Sequence, residues 1–524
     1  MNHPKYSRRD FVRGGACMIA AGGVSSFVPK LNLMGEALAQ TGVGTGYKAL
    51  ICLYLGGGND SWNMLIPTGN TGSPPQYSHA DYVIARNGLY TALNAAGLAI
   101  PRVTTANALP AALALTNTGG NLGVNPFAPE LAALYNSNRL AFVANVGTLF
   151  DPLTRATYNA RRKPPELYSH SDQTNLWQIG SGSSVLTPKG FGGQIAGITA
   201  QSNLIGLSPA ISIAGQTRFL VGETLASTPV FPFPMSTNTI FPAPVLSNYN
   251  TGSTTAGEPQ RRVALDQLFN LAYPELFSLE YKDIFKRSLL MASVINTEIT
   301  ANGTINTVFP ANNSLADQLR QVARMIKISR PASVGGPGAI NANRQVYYVN
   351  AGGYDTHDDQ ITSTTAANGH HGLLQRLSQA VNAFNNAMIE IGAANEVTLF
   401  TMSDFARTIN SNGNGTDHAW GSVQFVMGGA VSGGQVLGRY PRMVLNLQGD
   451  VNGECFSRGQ FLPTTAADQY AATMARWMGV NDENLPLIFP NIDNFATGPF
   501  ASAALTPQFA NFNRVIPGLL AGVS

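Results

Sequence analysis

Apolar and polar positions fall into a few strongly patterned blocks. The stretch "YKALICLYL", residues 47–55, is an apolar run that ends on Gly56, Gly57 and Gly58. A run of that length without alternation predicts a strand buried on both faces, as in a parallel sheet. "PELAALYNSNRLAFVANVG" predicts a helix, a polar turn and a second buried strand. After about residue 310 the alternation resumes, with the helix "SLADQLRQVARMIKIS", the strand "RQVYYVNAGG", the helix "GLLQRLSQAVNAFNNAMIEIG" and the strand "EVTLFTMSD". Strand, loop, helix and strand in that order predict an α/β fold, a doubly wound and mostly parallel sheet covered on both faces. Between about 180 and 310 the pattern loosens into Pro- and Thr-rich sequence, "STPVFPFPMSTNTIFPAPVLSNYNTGSTTAGEP", which predicts a loop-rich inserted cap with a helix near "EYKDIFKRSLLMASVINTEI".

The N-terminus reads as an address rather than as part of this fold. "SRRDFVR" sets a twin-arginine pair, Arg8 and Arg9, ahead of a short small-residue run, and Ala37-Leu38-Ala39 offers a cleavage site. The expected division is a twin-arginine signal peptide over 1–39 and an α/β domain over 40–524, giving a periplasmic or secreted protein. The run is too short and too rich in glycine for a stable membrane span.

Charge then changes the picture. The chain has 32 Lys and Arg against 29 Asp and Glu, and five of the basic and two of the acidic residues precede Gln40. What remains is formally neutral, which argues against a nucleic-acid partner. Of the three cysteines, Cys52 and Cys455 lie beyond the signal. Cys52 sits in the apolar run and reads as a buried thiol, a single bridge between the two staying open, while a disulfide framework is ruled out.

Against so few charges, Asp and His gather in short glycine-bounded runs, each just after an expected strand. Asp60 follows "YKALICLYL", Asp355 and His357 follow "VYYVN", Asp404 follows "VTLFTM", and Asp417 with His418 lies in the next loop. Ligands of such sheets bind beyond the carboxyl ends of the strands. Carboxylates and imidazoles converging there suit one or two divalent ions, Zn, Mn, Mg or Ca. Singly, an Asp after a strand is more often a turn former or helix cap than a ligand, and only their sum points to a site. Arg407 reads either as an anion-binding guanidinium or as half of a structural ion pair. His370 and His371, at the start of a helix, read as solvent-facing or capping groups, or as accessory ligands. "GGAVSGG" lacks dinucleotide-binding spacing.

"LYLGGGNDSWNMLIP", "GGYDTHDDQ", "SDFART" and "GTDHAWGSVQFVMGGAVSGGQVLGRYP" resemble the characteristic segments of the domain of unknown function 1501 family, in order from about Lys48 to Pro441. That family is placed with the alkaline phosphatase and sulfatase-like superfamily, so the resemblance implies an alkaline phosphatase-like sheet and a two-metal hydrolase site. Carried over by residue, Asp60 resembles the first metal-binding aspartate, Asp355 with His357 the Asp and His pair, Asp404 the aspartate of an "SDH" segment, and His418 the last metal histidine. Phe405 stands where the superfamily has a histidine, and the second metal loses a ligand. "YSHSDQTNLWQIG" is similar to the segment that carries the nucleophile, with Ser169 the candidate, Ser171 its substitute and His170 a substrate or metal contact. Ser169 reads equally as a helix N-cap. No Cys-x-Pro-x-Arg segment is present, so a formylglycine sulfatase mechanism lacks its precursor. Two functions are expected from this pattern: an exported metal-dependent hydrolase of phosphate or sulfate esters, with a small-molecule or glycan ester as substrate, or a non-catalytic exported binding or assembly protein that retains the fold.

Overall fold

The computed structural model of the chain describes residues 46–70, 73–104, 107–180, 189–199, 207–237, 258–272, 275–445, 455–496 and 513–523. The expected signal segment lies outside these residues. Nine strands form the main sheet: β1 (Lys48–Leu55), β2 (Leu140–Gly147), β3 (Ala210–Ser212), β4 (Phe233–Pro234), β5 (Arg344–Ala351), β6 (Val397–Ser403), β7 (Ser422–Gly428), β8 (Val436–Gly438) and β9 (Thr465–Ala466). Their order is β8-β2-β7-β6-β1-β5-β3-β4, with β9 also paired to β2. All pairings are parallel except those of β7 with β6 and β2. The sheet is therefore mostly parallel, as the apolar runs predict.

Residues of β1 alternate between two cores. Ala49, Ile51, Leu53 and Leu55 join the core on one face, and Leu50, Cys52 and Tyr54 join the core on the other. Helices α1 (Pro129–Asn136), α2 (Ser314–Ser329) and α3 (Gly369–Glu390) cover the first face, and α4 (Phe191–Thr199) with α5 (Ala467–Met478) covers the second. The α2 sequence explains its seat. Leu315, Leu319, Val322 and Ile326 recur at three- and four-residue spacing and are buried, each contributing about 1.5–3 kcal/mol. The Asn313 side chain accepts from the Ala316 amide and starts the helix. Truncating Leu319 to Ala would cost about 2–5 kcal/mol.

Two features differ from expectation. The strand β7, "SVQFVMG", is hidden in sequence among glycines and polar residues, and it runs against its neighbours. Its amino end therefore lies at the same sheet edge as the carboxyl ends of β1, β5 and β6. Also, among the described residues of 180–310, β3 and β4 extend the main sheet and α4 lies against it. Cys52 and Cys455 are both buried free thiols, which closes the question of a bridge. Among the described residues, no helix is long and apolar enough to cross a membrane.

Candidate metal centre

Four segments meet at that edge. The glycines after β1 give the first: Gly57 and Gly58 have φ of 113° and 81°, which only glycine adopts without strain. A Cβ on Gly57 would stand 2.5 Å from the Asp355 amide, and one on Gly58 would stand 2.5 Å from the Phe405 ring. The close passage leaves the Gly57 and Gly58 carbonyls facing Arg407, whose Nη2 and Nε donate to them at 2.8 and 3.0 Å. The other three segments carry imidazoles. His170 opens α6 (His170–Ile179), His357 follows β5, and His418 precedes β7.

Each imidazole is held through Nδ1 by a group that only accepts. His170 Nδ1 lies 2.6 Å from Asp404 Oδ2, His357 Nδ1 lies 3.2 Å from Asp417 Oδ1, and His418 Nδ1 lies 2.7 Å from the Tyr168 carbonyl. With the proton on Nδ1, the neutral ring turns its Nε2 lone pair the other way. All three Nε2 atoms then face Asp355: 3.4 Å from Oδ2 for His170, and 3.2 and 3.5 Å from Oδ1 for His357 and His418. The Nε2 atoms of His357 and His418 are 2.9 Å apart. His170 Nε2 is buried without a hydrogen-bond partner.

Lone pairs facing each other at this distance repel unless a proton or a cation lies between them. Ligand atoms around a divalent ion with bonds of about 2.0–2.1 Å are separated by about 2.9 Å in an octahedron and about 3.4 Å in a tetrahedron. The observed separations run from 2.9 to 3.5 Å, near those values. Ligand atoms of His170, Asp355 and His418 all lie within 4.8 Å of one another. His170, Asp355 and His418 therefore fit a metal ion, His357 Nε2 stands beside them, 2.9 Å from His418 Nε2, and Nδ1 of each ring is held by an outer acceptor of the kind that metal-bound histidines use.

Electrostatics are set by the same contacts. The hydrogen bond to Asp404 raises the His170 pKa above the ordinary imidazole value, against burial, with the charges of Asp404 and Asp355 adding to the rise. Burial lowers that of His418, more than its bond to Tyr168 raises it. At Asp355 burial acts upward, but the bond to Arg407, its charge and the nearby imidazoles outweigh it and keep the carboxylate ionised. At Asp417 burial again acts upward and is outweighed by the bonds from Asn412 and His357 and the charge of Arg458.

The expected site residues divide into three groups. Asp355, His357 and His418 come together, and His170 joins them as a further donor. Asp404 and Asp417 stand one shell out, each orienting an imidazole. Asp404 is also saturated on its other oxygen, which accepts from the Tyr54 hydroxyl at 2.7 Å and the Gly57 amide at 3.1 Å. Asp60 and Arg407 are placed differently from expectation. Asp60 is fully buried, with one oxygen 2.6 Å from Arg86 Nη2 and the other 2.5 Å from Gln360 Nε2. Arg407 is also fully buried, its guanidinium engaged by the Gly57, Gly58, Tyr354 and Thr416 carbonyls and by Asp355, with Nη1 3.4 Å from His357 Nε2. It fixes the loops and Asp355 rather than presenting a fork to an anion.

Ser169 is the N-cap residue of α6, but its hydroxyl caps no amide. It donates to Asp172 Oδ2 at 2.5 Å, and the Ser171 hydroxyl lies 3.3 Å from the same oxygen. His370 and His371 correct the surface expectation, both being buried. Burial drives their pKa values down to about 4 and about 3. His370 Nε2 donates to Asn59 Oδ1 at 2.9 Å, while His371 Nδ1 accepts from Asn125 at 3.1 Å. Sequence gave no sign of Tyr54 or of the Tyr168 carbonyl, because a strand tyrosine and a backbone oxygen carry no motif. Phe405 was visible only as a departure. Its buried ring lies 4.7 and 4.4 Å, centroid to centroid, from His170 and His418.

Residues 337–484 match the family described as "Protein of unknown function (DUF1501)". No curated protein matches the chain by sequence. Solved structures similar to the chain include Ps i-CgsB in complex with k-i-k-neocarrahexaose, at 12% identity and a TM-score of 0.32 over 86% of this chain and 75% of that one. Another is the PsFucS1 sulfatase from Pseudoalteromonas sp., at 12% identity and a TM-score of 0.29 over 87% and 71%.

Proposed function

We propose, from the match of residues 337–484 to the DUF1501 family and from the geometry of the imidazoles, that the chain is an exported, metal-dependent hydrolase of phosphate or sulfate esters. The observation that carries this reading is the triple arrangement of His170, His357 and His418, each turned by an outer acceptor so that Nε2 faces Asp355. These four residues would hold a divalent cation. Bound there, it supplies Lewis-acid polarisation of an ester oxygen and lowers the pKa of a nearby hydroxyl.

The remaining steps fall to the chain's own groups. Ser169, directly before His170, attacks the phosphorus or sulfur while Asp172 accepts its proton across the 2.5 Å contact; the bond to the ester oxygen breaks, the alcohol leaves with that proton, and water then hydrolyses the serine ester to release the anion and restore the hydroxyl. The amino end of α6 favours the developing alkoxide. The shorter contact of Ser169 than of Ser171 with Asp172 favours Ser169 as the nucleophile. Asp404 and Asp417 keep their imidazoles in register, and Arg407 anchors Asp355. The substrate is a small-molecule or glycan ester. The twin arginines support export of the chain already folded.

A second reading, a non-catalytic exported binding protein, is favoured by Phe405, which stands where a two-metal mechanism places a ligand. One experiment separates the two. Protein loaded with Zn, Mn, Mg or Ca is assayed on aryl phosphomonoesters, phosphodiesters and sulfates. The hydrolase reading expects turnover that Ser169→Ala abolishes without loss of metal and Asp404→Ala lowers together with metal. A metal-loaded wild type inert on all three ester classes overturns it.

A further inference from the structure

We infer that the centre takes one divalent ion rather than two, on the nitrogen-rich set His170, His357, His418 and Asp355, and that the buried guanidinium of Arg86 occupies Asp60 in place of a second ion. The inference deepens the metal half of the proposed function and does not depend on turnover.

Three observations close the second position. Both oxygens of Asp60 are engaged at hydrogen-bond distance by buried partners, Arg86 and Gln360. A divalent ion there would replace contacts that satisfy a fully buried guanidinium and would meet its positive charge at close range in a low dielectric. Asp404, the other carboxylate a second ion would need, already accepts from Tyr54, Gly57 and His170. Phe405 offers no lone pair, and its ring fills the space between Gly58 and the imidazoles of His170 and His418.

At the first position the Arg407 guanidinium engages only Oδ1 of the half-exposed Asp355, and Oδ2 faces His170 Nε2 at 3.4 Å. His170 Nε2 is buried and unpartnered, and the His357 and His418 nitrogens face each other at 2.9 Å. A cation resolves both. Three imidazoles and one carboxylate suit Zn or another first-row transition ion, whereas Mg and Ca take oxygen ligands. The sequence-based expectation of one or two ions from Zn, Mn, Mg or Ca thus narrows to one, and away from Mg and Ca.

The test reads metal rather than activity. Full-length protein is stripped with a chelator, reloaded with Zn or Co(II), and analysed for metal per chain and for the visible absorption of bound Co(II). One ion per chain is expected at saturation, with no displacement by a hundredfold excess of Mg or Ca. His170→Ala is expected to weaken binding at least tenfold, and Asp60→Asn to keep one ion per chain. Two ions per chain, displacement by Mg or Ca, unchanged affinity in His170→Ala, or metal loss in folded Asp60→Asn would each overturn the inference. Should either variant fail to fold, the wild-type stoichiometry and competition decide alone. One ion without turnover leaves this inference standing and removes the hydrolase reading, while two ions with turnover does the reverse.

Discussion

Replacing Asp404 by Asn exchanges one oxygen for an amide nitrogen, yet the position cannot absorb the exchange. Oδ1 of Asp404 accepts from the Tyr54 hydroxyl and the Gly57 amide, and Oδ2 faces His170 Nδ1 at 2.6 Å. Asn has a single acceptor oxygen. If that oxygen serves Tyr54 and Gly57, the amide group faces His170 and drives the imidazole proton to Nε2, where it blocks ligation. If the oxygen serves His170, two donors at a buried position lose their acceptor. Either arrangement also forfeits the charge-assisted bond that raises the His170 pKa. Loss of an outer acceptor of this kind weakens metal affinity by about 10- to 100-fold, or about 1.4–2.7 kcal/mol. Competition with a chromophoric chelator measures the change. Tyr54→Phe removes one donor and leaves the His170 contact intact, so it is expected to change affinity by less than about threefold. An Asp404→Asn protein that binds metal within twofold of wild type would refute the assignment of Asp404 as the residue that orients His170.

Other consequences are independent of the metal. Asp60→Ala strands a fully buried Arg86 and should cost about 3–5 kcal/mol of stability, read from the urea midpoint at constant slope; a loss below about 1 kcal/mol would contradict the buried pair. His370 and His371 titrate near 4 and 3 in the fold, against about 6.5 for an unfolded imidazole. The unfolded chain therefore binds more protons between those values, and this contribution to stability is complete above about pH 6.5 and is lost as pH falls toward about 4. Urea titrations at pH 7 and 4.5 check the sign, and equal stability at both would contradict neutral buried rings. Replacing Arg8 and Arg9 together by Lys should retain the precursor in the cytoplasm, whereas normal periplasmic accumulation of the double variant would refute twin-arginine export.

The sheet was legible because its strands are buried on both faces: runs such as "ALICLYL" and "VTLFTM" have one reading in a chain this long. Their order also placed Asp355, His357 and Asp404 at one edge. What sequence could not divide was ligand from orienting group, since Asp355 and Asp404 stand alike after a strand and differ only in which atoms face them. His418 reaches the site because β7 runs antiparallel, and that direction is set by pairing rather than by local pattern. Asp60 shows the same limit. Its partner Arg86 lies just past the short helix His79–Ala85, in a segment whose sequence carries no motif, so a carboxylate that resembles a ligand is neutralised by a cation no spacing reveals.

The metal centre is tested most directly by anomalous diffraction from crystals of the reloaded native protein, collected on either side of the absorption edge of the ion. One peak per chain is expected, bounded by the Nε2 atoms of His170, His357 and His418 and by the Asp355 carboxylate. A peak at Asp60, a second peak beside Asp404, or no peak within reach of His170 would contradict this expectation.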